Sequence, residues 1–594
     1  MTDSASDDPV STPSSHTGPD GRSRSMFATA VRWGWFGFLV LGVFGYMASG
    51  LSTTDSPTED FGLDRSTDSS TPLLDSDASV QSVALELRTW RDAMAQRVDR
   101  VNTVRNRELD RLGQQSADPA DWMTVCRRLS LALVGSGMSL EDIRTLQQLP
   151  EDVREAAYVQ RLLDDKRFHD YWAERWTRSL VGTENGPFVV FRRRRFRYWL
   201  AEQIAANEPY DKIVSDLITA EGLWTDQPQV NFLTVTFDSN DGQPDPIRLA
   251  ARTSRAFLGL RIDCLQCHDD FLGNVSLGDI QSPRAGAQSD FHQLAAFFSS
   301  AKNSGLQGVR TGDAEYQYQY LNATEEVAVE PAVPYSPELM PADGDVREQL
   351  AGWVTHPDNK PFSRAAVSRV WALMFGRAAS GAIDDLPLDA DLPPMLEQLA
   401  DDFSKDFDLR RLIRTIAASD AFRADSRASF VITQAHEDST AAFPLVRLRP
   451  EQVAGSIIQS SRIKSVDRDS SFFVQLQKFG STNDFLERYG DMGEDEFKGG
   501  SITITQRLTM INGNMLRESI GSNPIMNASA HIDMFSADDE TAVDNVYLCV
   551  LNRHPTGQER EHFAGRLASA DQRSQAIEDL YWVLLNSTEL AWNH

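Results

Sequence analysis

Arg261-Ile-Asp-Cys-Leu-Gln-Cys-His-Asp-Asp270 opens the stretch, running on to Ser299, around which the rest of the chain is arranged. Cys264, Cys267 and His268 form C-x-x-C-H, the pattern of covalent c-type haem attachment. In it two sulfurs make thioether bonds to the porphyrin and the histidine gives the iron an axial nitrogen. The chain has only four cysteines and ten histidines, so three of them falling at this spacing by chance is improbable. The same residues allow other chemistry: a local Cys264–Cys267 disulfide, or two thiols followed by a surface histidine. Asp263, Asp269, Asp270, Asp279 and Asp290, with His268 and His292, could also hold a divalent cation. Zinc would prefer the thiolates and imidazoles, calcium the oxygens alone.

On both sides of this stretch apolar residues recur at helical spacing. Upstream, Trp122 to Leu133, Ser139 to Gln148, Val153 to Leu163, Phe168 to Leu180, Tyr198 to Ala206 and Pro209 to Thr219 each predict a helix. Ser139, followed by Glu141 and Asp142, is an N-terminal signal. Val83, Leu87, Trp90, Met94, Val98 and Val101 line one face of an earlier helix lasting to about Leu112. The β-prone run in this part is Val230 to Phe237. Arg192 to Arg195 with Arg197 form a basic cluster, either a face neutralised by nearby carboxylates or a dock for an anion such as haem propionates. Downstream, Arg364 to Phe375 shows a wide apolar face; Trp353, Trp371 and His356 read as core packing with a satisfied histidine. The segments 420–440 and 468–500 are polar and predict irregular structure. Cys126 and Cys549 sit in apolar helical patterns and read as single buried thiols, a bridge between them staying open.

The 594 residues suffice for several cores, and the 41% hydrophobic and 24% charged composition is that of a globular protein. A formal net charge of −28 excludes a nucleic-acid partner, because phosphate contacts need concentrated Lys and Arg. There is no P-loop, G-x-G-x-x-G, H-E-x-x-H or nucleophile elbow.

Trp33 to Leu51 runs without a charge, long enough to cross a hydrocarbon core as one helix. Arg22, Arg24 and Arg32 precede it and Asp55, Glu59 and Asp60 follow. The positive-inside rule therefore puts the N-terminus in the cytoplasm and everything after Leu51 outside. Cleavage near Ala48-Ser49-Gly50 is the rival reading. Export would deliver Cys264 and Cys267 to the side where haem is attached, and where disulfides are equally permitted.

Cys126-Arg-Arg-Leu-Ser-Leu-Ala-Leu-Val-Gly135, Tyr198-Trp-Leu-Ala201, Asn207-Glu-Pro-Tyr-Asp211, Phe257-Leu-Gly-Leu-Arg-Ile-Asp-Cys-Leu-Gln-Cys-His-Asp269 and Leu294-Ala-Ala-Phe-Phe298 together resemble a planctomycete domain of unknown function labelled cytochrome c-like. Leu350-Ala-Gly-Trp-Val-Thr-His-Pro-Asp-Asn359, Phe362 to Trp371, Gln506 to Gly513 and Leu551-Asn-Arg-His-Pro555 resemble the second domain that usually accompanies it, also of unknown function. The chain departs from the first pattern after the signature, where relatives have H-P-F and this sequence has Asp270, Phe271 and Leu272. A nearby second histidine ligand is therefore missing; His292 is the nearest nitrogen donor, but the expected site is open to water or a small ligand and is not closed by His292. Residues 52–117 contain no cysteine, so one haem at most is expected.

The expected fold is mainly α, with one N-terminal transmembrane helix followed by two packed multi-helical domains with irregular loops. Residues 1–31 are read as a disordered cytoplasmic tail, 32–51 as the anchor, 52–79 as a flexible linker and 80–117 as an amphipathic helix. The cytochrome c-like domain spans 118–303, a connector 304–340 and the partner domain 341–594. The expected function is electron transfer at the outer side of the cytoplasmic membrane, with one haem c on Cys264 and Cys267, His268 as the iron's axial ligand, and redox proteins as partners. The alternative is a non-haem binding or scaffold module working on extracellular polymers with partners, with a disulfide or metal at the motif.

Overall fold

Helical periodicity in the sequence becomes helices in space. The computed structural model describes residues 77–594 apart from 184–185, 188–189, 280–281, 314, 390, 467–488, 490–496, 498–502, 514–515, 517–519 and 522–526. The tail, the 32–51 anchor and nearly all of the linker lie outside the described residues; among those described, no helix is long and apolar enough to cross a membrane.

The first helix, Asp77–Leu112, buries Ala84, Met94, Val101 and Leu109 against the helices Pro394–Phe403 and Glu151–Asp164. Next comes Trp122–Val134, started by the Asp121 carboxylate, which accepts from the amides of Met123 and Thr124. Almost all of its side chains are buried, because helices pack around it on several sides. Ser139 caps Leu140–Gln147 by accepting from the Asp142 amide, as its sequence signal predicts. Glu151–Asp164, Lys166–Val181, Arg193–Ala206, Tyr210–Ile218, Pro246–Leu258 and Gln288–Ala296 complete the first half. The second half is built chiefly on Val346–Val354, Lys360–Phe375, Pro394–Phe403, Leu409–Ala417, Pro450–Ser460, Asp539–Leu551, Gly557–Ser569 and Arg573–Leu585.

Two expectations need correction. Val230 to Phe237 is not a strand: Pro228–Val230 and Phe237–Ser239 are 3₁₀ turns and Asn231–Thr234 is α-helical. Phe232 and Leu233 are wholly buried, and a short apolar run surrounded by helices cannot reveal by periodicity whether it is strand or helix. Within 420–440, read as irregular, Asp420–Arg423 and Gln434–Asp438 make short helices. Strands among the described residues are confined to two-stranded antiparallel ribbons, such as Ser276–Asp279 with Ser282–Ala285.

Leu74–His594 is one compact unit, and its two halves share a buried seam. Tyr210 stacks on Phe362 with centroids 5.3 Å apart, and its amide donates to the Phe407 carbonyl. Arg347, 1% exposed, donates to the carbonyls of Ile218 and Ala220 and to the Thr311 hydroxyl. Arg128, wholly buried, donates to the carbonyls of Phe422, Ala424 and His594. Glu451 binds both Arg175 and Arg449, which keep its carboxyl below the usual range despite burial. Each of these charges would be costly in the seam without its partners. Trp353 and Trp371 are core residues, as read. His356 is partly exposed, and its Nδ1 accepts from the Asp358 amide.

Candidate functional site

The site begins where the Pro246–Leu258 helix stops. Gly259 caps it at φ +65, and a Cβ there would crowd Leu386 and Ala365 of the second half. The chain then enters a 3₁₀ turn, Asp263–Gln266, in which the Cys267 amide donates to the Cys264 carbonyl. With about three residues per turn, side chains three apart lie on one side. Ile262 and Leu265 accordingly point into the core, 1% and 0% exposed, while Cys264 and Cys267 share the outer edge and are exposed. His268 follows directly and is also exposed.

The His268 ring is held in one tautomer. Its Nδ1 lies 2.7 Å from the Asp269 carbonyl oxygen. A carbonyl only accepts, so Nδ1 carries the proton and Nε2 keeps its lone pair. Metal-ligating histidines are typically set up this way, with the far nitrogen donating to a backbone carbonyl. Phe271 and Leu272 stand beside the motif, 77% and 84% exposed, and the Phe271 ring is stacked alongside His268.

The turn is clamped from below. The Gln266 carbonyl receives the Gln288 side-chain amide at 3.0 Å, the Tyr318 hydroxyl at 3.2 Å and His292 Nε2–H at 3.0 Å. Because Nε2 faces a carbonyl it must carry the proton, so the Tyr316 hydroxyl donates to Nδ1, at 2.9 Å. His292 is wholly buried, stacks on Tyr318 with centroids 3.4 Å apart, and has its pKa lowered by burial. With both nitrogens engaged it is a structural clamp, as expected for a histidine that is not the iron's second ligand, and the alternative in which it helps to hold a divalent cation does not fit the arrangement. The carboxylates are likewise engaged. Asp269 accepts from the Gln288 amide, Asp270 from the amides of Leu272 and Val275, and Asp290 holds Arg284 by two contacts of 2.7 Å. Asp263 lies 3.8 Å from Arg255. No cluster of three or more His, Cys, Asp or Glu able to hold a metal ion occurs among the described residues.

Cys264 and Cys267 are free thiols in the structure. Partial burial and the charge of Asp270 raise the Cys264 pKa, the opposite of what a thiolate catalyst needs. Cys126 and Cys549 are buried free thiols, not bridged. The arginines of the basic cluster have local partners, though only one of these is a carboxylate: Arg193 and Arg197 share Glu174, Arg194 reaches the Tyr198 hydroxyl and Arg195 the Thr225 carbonyl.

Residues 100–303 match the family described as "Protein of unknown function (DUF1549)", and residues 346–484 match "Protein of unknown function (DUF1553)". The chain carries the two domains in that order. The first begins inside the Asp77–Leu112 helix and includes the whole C-x-x-C-H turn and its clamp helix; the second starts with Val346–Val354. No curated protein and no solved structure matches the chain.

The clamp residues Gln266, Gln288, Tyr316 and Tyr318 were not singled out in the sequence. The one available signal was the alternation Tyr316-Gln-Tyr-Gln-Tyr320, whose period of two sends the tyrosines to one side. All three rings lie around His292.

Proposed function

We propose that Cys264 and Cys267 carry a single c-type haem through two thioethers, that His268 Nε2 is its axial ligand, and that the body serves as an electron-transfer module tethered outside the cytoplasmic membrane by residues 32–51. The observation that carries this reading is the His268 tautomer: Nδ1–H is committed to the Asp269 carbonyl, leaving the nitrogen lone pair that iron requires. The residues fit the group in two further respects. Both thiols lie on one exposed edge of the turn, and Phe271 and Leu272 supply apolar surface beside them. A bound haem would supply reversible one-electron chemistry. The protein's own residues hold the turn rigid through the Gln266 carbonyl and present the motif at the surface, where a redox partner can approach.

Expression with a cytochrome c maturation system tests this. The expected product keeps its colour through acid-acetone extraction and stains for haem on a denaturing gel. Cys264→Ser combined with Cys267→Ser abolishes the stain, and His268→Ala alters the iron's spectrum. Colourless protein from a strain that matures other c-type cytochromes, with Cys264 and Cys267 bridged by mass spectrometry, would overturn the reading in favour of the scaffold alternative. A periplasmic reporter fused after Ser79 checks the topology and should be active outside the cytoplasm.

A further inference from the structure

The turn that carries Cys264, Cys267 and His268 shares its surface with large apolar side chains. Phe271 and Leu272 follow it directly and stand out in solvent, with the Phe271 ring alongside His268. Leu321, 64% exposed, comes from elsewhere: it lies in the turn of the antiparallel ribbon that pairs Gln317–Tyr318 with Val327–Ala328. That ribbon is fastened to the motif. The Tyr318 hydroxyl donates to the Gln266 carbonyl, and the Leu321 amide donates to the side-chain oxygen of Gln288, whose own side-chain nitrogen also donates to Gln266. Folding thus gathers Phe271, Leu272 and Leu321, some fifty positions apart, beside one turn. Apolar side chains brought together in water at the edge of a functional group mark a contact surface.

The charges around them are mostly of one sign. From Arg261 to Glu330 the sequence holds ten Asp and Glu against four Lys and Arg, a net −6 in 70 residues, nearly twice the density of a chain carrying −28 in 594. Two of the four bases are already engaged: Arg284 lies 2.7 Å from Asp290 and Arg310 lies 3.4 Å from Glu221. A second acidic loop adjoins, for residues 378–393 contain four aspartates and no Lys or Arg, and Asp389 accepts from the Ser276 hydroxyl at 3.1 Å. Bases do reach these carboxylates from elsewhere in the fold: Arg255 binds Asp384 and lies near Asp263, Arg347 reaches Glu221, and Arg369 is in the field of Asp384. With them and Glu221 included the balance is fifteen carboxylates to seven bases, still strongly negative. Asp269 beside His268 and Glu325 and Glu326 beside Leu321 are exposed.

We propose that this face docks the redox partner, and that the partner is a basic protein presenting lysines around an apolar centre; the inference rests on the electron-transfer reading of the motif. Phe271, Leu272 and Leu321 form the dry centre of the contact and the carboxylates its polar rim. Opposite charge steers the diffusing partner to this face and orients it, raising the association rate without demanding a large buried area. That suits the brief contacts of redox proteins, which bury less than about 1,200 Å².

The full chain in detergent is tested against a lysine-rich mitochondrial cytochrome c, and against the same probe with its lysines acetylated. Biosensor binding reads docking whether or not the chain itself carries haem; stopped-flow reduction of the ferric probe by the reduced, haem-loaded chain reads transfer. The unmodified probe should bind saturably, with an association rate that falls about ten-fold or more from roughly 20 to 200 mM salt, and the acetylated probe should not bind. Glu325→Gln with Glu326→Gln should slow association about three-fold. Leu272→Ser with Leu321→Ser, both at exposed side chains, should speed dissociation about ten-fold. Glu561→Gln with Asp571→Asn, the same change of charge at exposed positions of the second half, should alter neither rate. Absence of saturable binding, or equal losses in the Glu325/Glu326 and Glu561/Asp571 pairs, overturns the docking surface whatever the haem stain shows. Patch-dependent binding by protein that fails the stain and transfers no electron upholds the surface and overturns the electron-transfer reading instead.

Discussion

Replacing His292 by alanine tests whether this residue is a clamp or a ligand. The substitution removes the hydrogen bonds to the Gln266 carbonyl and from the Tyr316 hydroxyl, about 1 kcal/mol each. It removes the ring stacked on Tyr318, about 1 kcal/mol more. The space left, roughly 60 Å³ at about 24 cal/mol per Å³, adds about 1.5 kcal/mol if the site does not collapse. The Gln266 carbonyl keeps Gln288 and Tyr318 as donors, so the sum of about 4.5 kcal/mol is an upper figure. His292→Phe keeps the ring and should lose about half as much. Urea unfolding measures the total, and the rate at which native Cys264 and Cys267 react with a thiol reagent reports the local loosening. Both should rise in cost and rate for the alanine variant, while haem-loaded protein keeps its optical spectrum. The pH dependence has a defined sign. Burial lowers the His292 pKa, so the unfolded chain takes up the proton first; the stability from keeping the ring neutral is full above about pH 6.5 and is lost progressively as pH falls below it. Unchanged stability in His292→Ala, or a spectral shift marking lost ligation, would refute the clamp.

Four further outcomes are expected. Arg128→Met leaves two buried carbonyls and that of the partly buried His594 without their donor and should cost about 3 kcal/mol in denaturant unfolding. Asn552→Ala should cost a similar amount, about 3 kcal/mol, because Asn552 holds φ +57 while bonding both the amide and the carbonyl of Met138. Glu559 is held down to about 2 chiefly by its bonds to Arg553. Its contribution is therefore present above the ordinary value of 4.5 and lost as pH falls toward 2, and Glu559→Gln should flatten acid unfolding in that window. Native protein without haem should expose two reactive thiols and denatured protein four, since burial raises the thiol pKa of Cys126 and Cys549, the latter to about 11.

The helical architecture was legible because the apolar residues of segments such as 122–133 and 168–180 recur at helical spacing, and caps such as Ser139 are local. The motif was legible for the same reason: Cys264, Cys267 and His268 lie within five residues, and a 3₁₀ or α turn places such neighbours together whatever the rest of the chain does. The segment 230–237 was misread because a wholly buried run carries no amphipathic period, so its conformation follows from the helices around it. The role of His292 depended on Gln266, 26 residues earlier, and Tyr316, 24 residues later. Spacing along the chain cannot state such pairings. The cavity lined by Arg178, Arg248, Arg252, Arg255 and Arg369 lies further from local reading still, drawing on residues from 178 to 497. Only the packing of two domains brings those charges to one place, because electrostatic fields and desolvation depend on distance in space and not on order in the chain.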